Sequence, residues 1–315
     1  MMEIIQLTYP TNYKRTQLEP TSLAVGFFDG VHLGHQQVIQ TAIEQANKKG
    51  LAKAVMTFEP HPLEVLKDEP LHNHLLTSLE EKQSIIRQMG VDYLFVVTFD
   101  RSLSKLSPQE FVDLFFIDLN VQHVTAGFDY SFGHKGAGKI KDMDHYAKGR
   151  LDYSVVDKVS ADGEKVSSTS IRQFLHQGDQ ERANQLLGRP FSLTGEVVQG
   201  FQRGREIGYP TANLAVDESH VIPKVGIYAV TAHISGQTYK GMASIGYNPT
   251  FENEHTKPSI EVHVFDLNEN LYGKTIQVDF LAYLRDEVAY QGVDQLIEQL
   301  KLDEVDAKKV LDKLN

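Results

Sequence analysis

The chain of 315 residues contains no cysteine. This absence excludes thiolate nucleophiles, thiolate zinc sites and disulfides, so stability and chemistry must come from other groups. Long apolar runs are missing as well, since no stretch reaches the ~18 uninterrupted apolar residues of a membrane span. The first residues, MMEIIQLTYP, also lack the basic and apolar regions of a signal peptide. These features predict a cytoplasmic protein with no membrane contact.

Positive charge is also scarce. The 31 lysine and arginine residues are outnumbered by 42 aspartate and glutamate residues, which gives a formal net charge of -11. Phosphate backbones are bound by basic surfaces, so no nucleic acid is expected as a partner. Any phosphate group that the protein binds must therefore be met by a local arrangement of donors. The sequence leaves a homo-oligomer open.

The first half of the chain alternates apolar runs with amphipathic helical patterns, which is typical of an α/β domain. Predicted strands and helices cover residues 51–58, 78–90, 93–99 and 107–116. Ser78 and Ser107 each precede a glutamate by three residues, the pattern of a capping box at a helix start. Strand, crossover helix and parallel strand together predict a doubly wound sheet, whose ligand crevice lies beyond the carboxyl ends of the strands.

In the second half the apolar period changes to strict alternation, as in the segments 227–234 and 276–282. Alternation predicts a small antiparallel sheet or barrel. Two short helical patterns precede this region, and an amphipathic pattern from Gly292 toward Leu314 predicts a closing helix. The expected domains are therefore residues 1–185 and 186–315.

Residues 26–36, GFFDGVHLGHQ, contain a His-x-Gly-His pattern where a predicted strand turns into a predicted helix. Glycines allow the backbone to approach a ligand closely, and the first N–H groups of a helix favour an anion. His32 and His35 would add side-chain donors to the same phosphate chain. The alternative is a surface loop whose histidines have ordinary partners, because the pattern by itself has little specificity.

A second candidate phosphate site is the segment VSSTSIR at residues 166–172. Ser168 or Thr169 can cap the helix that follows, and Arg172 projects from the first turn of that helix. Two helix N-termini and an arginine would together be able to hold one triphosphate.

A third motif, GREIGYPTANL, occupies residues 204–214. Gly204 and Gly208 permit a loop to close over phosphate. The side-chain oxygens of Thr211 and Asn213 are hard ligands of the kind that Mg²⁺ prefers. The alternative is a turn between two strands in which the threonine and asparagine bond only locally.

These motifs carry a resemblance to a known family. GFFDGVHLGHQ, TFEPHP at 57–62, AGFDYSFG at 126–133 and SSTSIR at 167–172 occur in family order. They resemble the adenylyltransferase half of bacterial bifunctional riboflavin kinase/FAD synthetase. Five later segments resemble the riboflavin kinase module of the same family: GREIGYPTANL, IGYNPTF at 245–251, SIEVHVF at 259–265, LYGK at 271–274 and LRDE at 284–287.

The resemblance implies a fold of the type α/β plus β. A doubly wound, Rossmann-like nucleotidyltransferase domain would be followed by a small antiparallel Greek-key β-barrel, the riboflavin kinase domain, with a C-terminal helix. In the barrel, ATP would phosphorylate riboflavin to FMN. In the α/β domain, the FMN phosphate would attack the α-phosphate of ATP to give FAD and pyrophosphate. ATP and the flavins would be the small-molecule substrates, and both steps would need Mg²⁺.

The resemblance also implies site residues. The catalytic residues would be His32, His35, Arg172 and Glu261, with Glu261 as the general base that accepts a proton from the riboflavin ribityl chain. Mg²⁺ would be held by Thr211 and Asn213. The residues expected to bind nucleotide, flavin or phosphate are Gly26, Phe27, Asp29, Gly34, Phe58, His61, Asp129, Phe132, Ser168, Thr169, Gly204, Gly208, Thr211, Asn213 and Arg285.

Two of these residues have an ordinary structural interpretation. Phe58 closes an apolar strand and fits the core as well as a stacking platform. Glu261 alternates with apolar residues, and most strand glutamates in that position face solvent. The motif around Asp129 also departs from the family wording, because Tyr130 and Ser131 stand where a phenylalanine and an arginine are frequent.

A further departure lies near the C-terminus, where Ala289 and Tyr290 replace a frequent Lys-Phe pair. Three other functions are weighed against the bifunctional enzyme. The first is an FAD synthetase with a catalytically silent, flavin-binding C-terminal module, against which the intact Thr211, Asn213 and Glu261 argue. The second is a flavin sensor without turnover, and the third is a nucleotidyltransferase with another acceptor. The sensor does not explain two phosphate-handling motifs, and the C-terminal kinase-like module argues against the third function.

Overall fold

A computed structural model describes residues 2–11, 13, 15–161, 163–200, 204, 207–247 and 258–313. The chain forms two compact units. The first unit comprises Met1–Leu71 and Thr77–Ser167, and the second comprises His72–Leu76 and Ser168–Asn315. The two short helices before the barrel thus lie in the second unit, upstream of the boundary at 185 that the change of period predicts.

The first unit alternates strands and helices, as its apolar pattern predicts. In chain order its elements are β1 (Glu3–Leu7), β2 (Thr21–Val25), α1 (Leu33–Lys49), β3 (Ala52–Glu59), α2 (Pro62–Lys67), α3 (Leu79–Gln88), β4 (Tyr93–Thr98), α4 (Pro108–Val112), β5 (Val121–Gly127), β6 (Ser131–Phe132), β7 (Gly138–Lys139), α5 (Met143–Ala147), β8 (Asp152–Val156), β9 (Ser160–Ala161) and β10 (Glu164–Lys165). The main sheet has the order β1-β4-β3-β2-β5-β8. All of its neighbouring strands are parallel.

Both faces of this sheet are covered, which explains why its central strands are apolar throughout. Successive side chains of a strand point to opposite faces. Ala24 and Val55 accordingly pack with residues of α1 and α3. Leu23 and Met56 pack on the other face with an aromatic cluster that includes Phe111. The predicted doubly wound sheet is confirmed.

Local sequence sets the helix starts. Ser78 and Ser107 cap α3 and α4, and each makes the reciprocal capping box with the glutamate three residues later. Pro108 occupies the first turn of α4, where its missing N–H costs no helical hydrogen bond. α4 continues into a π-helical turn at Asp113–Ile117. The helix predicted at 107–116 is therefore present as an α-helical turn followed by a π-helical turn.

The second unit is a β-barrel with helices on either side of it in the chain. In chain order its elements are α6 (Ser168–Gln177), α7 (Gln180–Leu187), β11 (Phe191–Val198), β12 (Ala212–Ala215), β13 (Gly226–Ile234), β14 (Gln237–Gly246), β15 (Ser259–Val264), β16 (Thr275–Arg285) and α8 (Val293–Lys313). Among the described residues the strands close in the order β11-β12-β15-β14-β13-β16. Every pair is antiparallel. The predicted barrel and closing helix are confirmed.

Alternation along the barrel strands separates the interior from the outer surface. In β15, Ile260, Val262 and Val264 are buried, while the residues between them are half-buried. α8 packs on the outside, where Ala307 and Leu311 join a cluster with barrel side chains. Leu314, toward which the predicted helix runs, lies outside the described residues.

The segment His72–Leu76 belongs to the second unit, although residues of the first unit precede and follow it in the chain. Leu75 forms a parallel bridge with His220. The backbone N–H of Asn73 donates to the carbonyl of Glu218 at 2.9 Å, and its side chain accepts from the N–H of Ile222 at 2.8 Å. These contacts join residues far apart in the chain, which no local pattern reports.

A polar network around the buried His123 lies in the first unit. Lys49 Nζ is 3.1 Å from His123 Nδ1 and 2.5 Å from Asp152 Oδ2, and His123 Nε2 is 2.9 Å from Ser154 Oγ. The ammonium group donates, so Nδ1 accepts and Nε2 carries the ring proton. Burial, followed by the charge of Lys49, lowers the pKa of His123 to about 4. The folded unit therefore contains neutral His123.

This network predicts a loss of stability in mild acid. Below a pH of about 6.5 the unfolded chain binds a proton at His123 that the folded chain does not bind. The free energy of unfolding should fall by about 1–2 kcal/mol between roughly pH 7 and pH 5 from this residue alone. Urea unfolding followed by circular dichroism measures the fall, which should be smaller in His123→Asn. Equal pH dependence in both proteins would contradict the prediction.

Candidate functional site

The His-x-Gly-His loop leaves the carboxyl end of β2, the strand between β3 and β5. The predicted order of strand, loop and helix is confirmed, with α1 beginning at Leu33. Parallel strands end at one edge of the sheet, so Asp129, which follows β5, leaves the same edge as this loop. Asp129 is exposed there. This edge is where a doubly wound sheet binds its ligands.

His32 and His35 form a stacked pair at the start of α1. Their ring centroids are 3.6 Å apart with an interplanar angle of 16°. His32 is the N-cap, because its Nδ1 accepts the backbone N–H of His35 at 3.2 Å. In the neutral ring of His32 the proton therefore sits on Nε2. The motif thus organises the first turn of the helix as well as supplying donors.

The pKa of His35 lies well below its usual value, first because of burial and then because of the nearby charges of His32 and Lys82. Its Nδ1 is buried and has no hydrogen-bond partner among the described residues. At neutral pH this ring is therefore uncharged. A bound anion would oppose these effects and favour the imidazolium form.

The loop between β2 and α1 has a strained backbone. Phe28 and Val31 have φ values of 56° and 38°, and Gly30 has 81°. Positive φ is unusual for bulky and β-branched residues and occurs where the surroundings impose it, often at functional sites. The N–H of Gly30 donates to Thr77 Oγ1 at 3.0 Å, and Gln36 Nε2 donates to the carbonyl of Val31 at 2.8 Å.

Lys82 of α3 is a residue of this site that the sequence analysis missed. The side chain is buried, with 2% of the residue exposed. Its Nζ donates to the Phe27 carbonyl at 2.9 Å and to Thr57 Oγ1 at 3.2 Å. One signal was present in the sequence, because Lys82 occupies the same helical stripe as the buried Ile86.

The structure brings the first motif and TFEPHP together. The rings of Phe27 and His61 meet edge to face at 4.1 Å. His61 also caps α2, since its Nδ1 accepts the N–H of Leu63 at 3.0 Å. Gly26 is required by crowding, because a Cβ there would approach the ring of Phe28 to 2.9 Å.

The remaining predicted residues of the first unit have different surroundings. Asp29 is buried, and Gly34 adjoins the His32 ring. Phe58 and Phe132 are 7% and 4% exposed and lie within the aromatic cluster of the core. Phe111 packs against both of them, with centroid distances of 6.4 and 5.8 Å. Their participation in a flavin site stays a prediction.

Ser168, Thr169 and Arg172 all lie in α6, which belongs to the second unit. The helix begins at Ser168, so both hydroxyl residues are in its first turn rather than before it. Arg172 Nε donates to the carbonyl of His74 at 2.6 Å. Joint action of these residues with His32 and His35 on one triphosphate stays a prediction.

A second group of predicted residues meets on the outer surface of the barrel. Asn213 of β12 is the register partner of Glu261 of β15. Thr211 immediately precedes β12, and its Oγ1 donates to Glu261 Oε2 at 2.9 Å. Glu287 of the LRDE motif is close enough to Glu261 to interact with its charge. Burial raises the pKa of Glu287, and the charge of Glu261 raises it further.

The glycine-containing loop before β12 is partly described. Gly204 accepts hydrogen bonds through its carbonyl from the N–H groups of Ile207 and Tyr209, and Gly208 has a φ of 84°. His263 Nδ1 is 2.8 Å from the carbonyl of Pro210. Arg205 and Glu206 of this motif, and residues 248–251 of IGYNPTF, lie outside the described residues.

A cavity of about 540 Å³ opens beside Thr211. Its lining includes Val197, Pro210, Thr211, Val262, Asn268 and Tyr272. Ligand sites of drug-sized molecules commonly have volumes of about 300–1,000 Å³ with a few placed polar groups. The cavity thus has room for a nucleotide next to Thr211.

Arg285, which is predicted to contact a ligand, donates hydrogen bonds to Asp303 of α8. Its Nε lies 2.7 Å from Asp303 Oδ1, and its Nη2 lies 2.6 Å from Oδ2. Asp303 is 3% exposed. These hydrogen bonds raise the pKa of Arg285 and connect the end of β16 to the helix. A contact with ligand stays a prediction and would come in addition to this structural role.

Comparison with known protein families identifies both units. Residues 14–170 match the family of FAD synthetases. Residues 187–311 match the family of riboflavin kinases. The two matches follow one another along the chain in the order that the motifs predict.

Curated relatives match over the full length. A bifunctional riboflavin kinase/FMN adenylyltransferase of Listeria monocytogenes is 46% identical over 314 residues, and the alignment covers 99% of each chain. The Bacillus subtilis protein of the same name is 43% identical, with 97% of each chain covered. The Escherichia coli K12 protein, also so named, is 36% identical, with 95% of each covered.

A solved structure from Streptococcus pneumoniae shares the fold, with a TM-score of 0.85 and 35% identity over 97% of this chain and 98% of that one. It is described as a macrolide-efflux protein, a name that differs from those of the sequence relatives. The described helices include none that combines the length and the hydrophobicity of a membrane span.

The pair between Arg285 and Asp303 generates a prediction for the second unit. Asp303→Ala should lower the free energy of unfolding by about 2–3 kcal/mol, because a largely buried guanidinium loses its counter-charge. Asp306→Ala is the matched control, since it removes the exposed partner of Lys309 on the same helix and should cost less than about 1 kcal/mol. Urea unfolding measures both, and equal losses would contradict the prediction.

Proposed function

Because the chain belongs to the family of bifunctional riboflavin kinase/FMN adenylyltransferases, we propose that two separate sets of its residues convert riboflavin to FMN and FMN to FAD. The loop of His32 and His35 serves adenylylation, and Thr211, Asn213 and Glu261 serve phosphorylation. The observation that carries this division is the placement of the two sets in different compact units.

In adenylyl transfer, a phosphate oxygen of FMN attacks the α-phosphorus of ATP. The bond from that phosphorus to the oxygen bridging to the β-phosphate breaks, and pyrophosphate leaves. Such a reaction needs positioning and charge stabilisation rather than a protein nucleophile. The triphosphate is positioned, and its charge is stabilised, by the first N–H groups of α1 and by the ring donors of His32 and His35. Gly26, Phe27, Asp29 and Gly34 give the loop its shape.

The rest of the first site follows from the family motifs. The motif SSTSIR assigns phosphate binding to Ser168, Thr169 and Arg172, whose hydroxyl and guanidinium groups are suitable donors. Asp129 contributes at the flavin side, because it is exposed on the edge of the sheet next to β2. Phe58, His61 and Phe132 form the wall behind that position, which is consistent with the burial of both phenylalanines.

In the kinase reaction, Glu261 accepts the proton of the terminal ribityl hydroxyl while that oxygen attacks the γ-phosphorus of ATP and ADP leaves. The hydrogen bond from Thr211 to Oε2 orients the carboxylate. Among the described residues Oε1 has no hydrogen-bond partner, so it is the oxygen assigned to the substrate proton. The cavity beside Thr211 receives ATP, and the loop of Gly204 and Gly208 closes over its phosphates. Arg285 supports the flavin side through its position at the end of β16.

Mg²⁺ fits the donor set of Thr211 and Asn213. A hydroxyl that donates its proton to Glu261 keeps its lone pairs for a cation, and an amide oxygen is a second hard ligand. Bound Mg²⁺ would neutralise charge on the ATP phosphates. The protein residues themselves orient the nucleotide and accept the proton.

Paired substitutions test the division of labour. Glu261→Ala should reduce FMN formation from riboflavin by a factor of about 100 or more, because the general base is lost, and should leave FAD formation from FMN intact. The double variant His32→Ala with His35→Ala should do the reverse, with a loss of about 100-fold or more. Chromatographic separation of riboflavin, FMN and FAD after incubation with ATP and Mg²⁺ measures both reactions.

Matched controls separate these effects from general damage. Glu196→Ala changes another outward glutamate of the barrel, and His145→Ala changes an exposed histidine of the first unit. Both should retain both activities. If Glu261→Ala or the double histidine variant lost both activities while remaining folded, the proposed division would be wrong.

The metal proposal predicts that a chelator abolishes both reactions and that added Mg²⁺ restores them. Thr211→Val should raise the Mg²⁺ concentration needed for FMN formation, because the hydroxyl ligand is lost. Thr211→Ser keeps the hydroxyl and should stay close to the original protein. The Mg²⁺ requirement of FAD formation serves as the internal reference, and a parallel rise there would exclude Thr211 as a specific ligand.

A further inference from the structure

Lys82 lies at the first site although none of the recognised motifs includes it. We infer that Lys82 is a positioning residue for adenylyl transfer, whose buried ammonium group fixes the Phe27–Phe28 peptide and so the shape of the loop that receives the triphosphate. This inference rests on the assignment of that loop to FMN adenylylation.

The first support is the hydrogen bonding of one carbonyl oxygen. The Phe27 oxygen accepts from Lys82 Nζ and from Thr57 Oγ1, each at 2.9 Å, and these two donors are 3.2 Å apart. Both lone pairs of the oxygen are therefore used. In a trans peptide the next N–H points opposite to the carbonyl. The N–H of Phe28 is thus turned away from Lys82, and it makes no hydrogen bond within the described part of the chain.

The second support is the packing of the Phe27 ring. Lys82 Nζ lies 4.2 Å from the ring centroid, a distance suited to a cation–π interaction. The same ring also contacts His61, edge to face, with the ring centroids 4.1 Å apart. One ammonium group therefore holds the ring and the carbonyl of the same residue, and through them it connects the first motif with TFEPHP.

The third support is backbone strain directly after this peptide. Phe28 and Val31 hold positive φ values that bulky side chains rarely adopt. Such conformations persist only where neighbouring groups impose them. The anchors of this loop are Lys82 at Phe27, Thr77 at Gly30 and Gln36 at Val31. Without Lys82, the hydroxyl of Thr57 is the remaining donor to the Phe27 carbonyl, so the Phe27–Phe28 peptide is less restrained.

Electrostatics explains why the anchor is charged. Burial lowers the pKa of Lys82 to about 8, while Asp29 of the loop and Glu59 of β3 partly oppose that effect. Burial and then the charges of His32 and Lys82 lower the pKa of His35 of α1, so its ring is neutral at pH 7. Lys82 is therefore a cation beneath the loop at neutral pH, and it becomes a neutral amine above a pH of about 8.

The test compares the two reactions of the full chain as the pH rises. In the unmodified protein, kcat/KM for ATP in FAD formation should decline through a pH of about 8, whereas FMN formation serves as the reference for ATP ionisation. Lys82→Met should reduce kcat/KM for ATP in FAD formation about tenfold or more and should remove the decline. Lys82→Arg retains a cation at all these pH values and should also lack the decline.

A matched control comes from another lysine of the first unit. Lys49→Met removes the cation that binds Asp152 and His123 at the far end of α1. It should retain the kcat/KM for ATP and the pH profile of the original protein even though it loses polar contacts. If Lys82→Met behaved like Lys49→Met, the inference would be overturned. Absence of FAD formation in the unmodified protein would instead overturn the assigned function.

Thr57→Val keeps the test decisive should Lys82→Met fail to fold. It removes one partner of the ammonium group and leaves Lys82 in place, so the decline in FAD formation should move to lower pH. The same profile as in the original protein would overturn the inference.

Discussion

Both reactions bring a polyanionic triphosphate to a chain whose formal net charge is -11. Positive potential must therefore be created locally, against the charge of the whole molecule. In the first unit we propose that it comes from the N-terminus of α1 and from the buried ammonium of Lys82. In the second unit the proposed Mg²⁺ at Thr211 and Asn213 has that role. A general basic surface is not needed, because groups near the phosphates interact more strongly than distant charges screened by water.

The two units support their polar groups in different ways. The first presents a loop with positive φ values at Phe28 and Val31, and distant side chains hold that loop in place. The second uses neighbouring strands, whose register sets Asn213 opposite Glu261 while Thr211 donates to the carboxylate. A strained loop depends on its anchors, whereas strand register is maintained by the barrel as a whole.

Much of the fold was predictable because the relevant signals are local. The capping boxes at Ser78 and Ser107 are present with both hydrogen bonds, and the alternation around Glu261 correctly separates buried from outward residues. The segment His72–Leu76 was not predictable, because its partners are about 150 residues away, as in the bond between Asn73 and Ile222 with a separation of 149. Lys82 was missed for a related reason, since a lysine within an amphipathic helix is ordinarily placed on its solvent-facing side.

The sequence by itself determined the order of strands and helices, the position of each motif and the family that those motifs resemble. These depend on periodicity, on capping residues and on short patterns, all of which lie within one stretch of chain. The tertiary structure alone decided that Phe58 and Phe132 are buried against Phe111, that Arg285 is paired with Asp303, and that Lys82 reaches the carbonyl of Phe27. Each of these contacts joins separate elements, and the packing of those elements sets the distance between them.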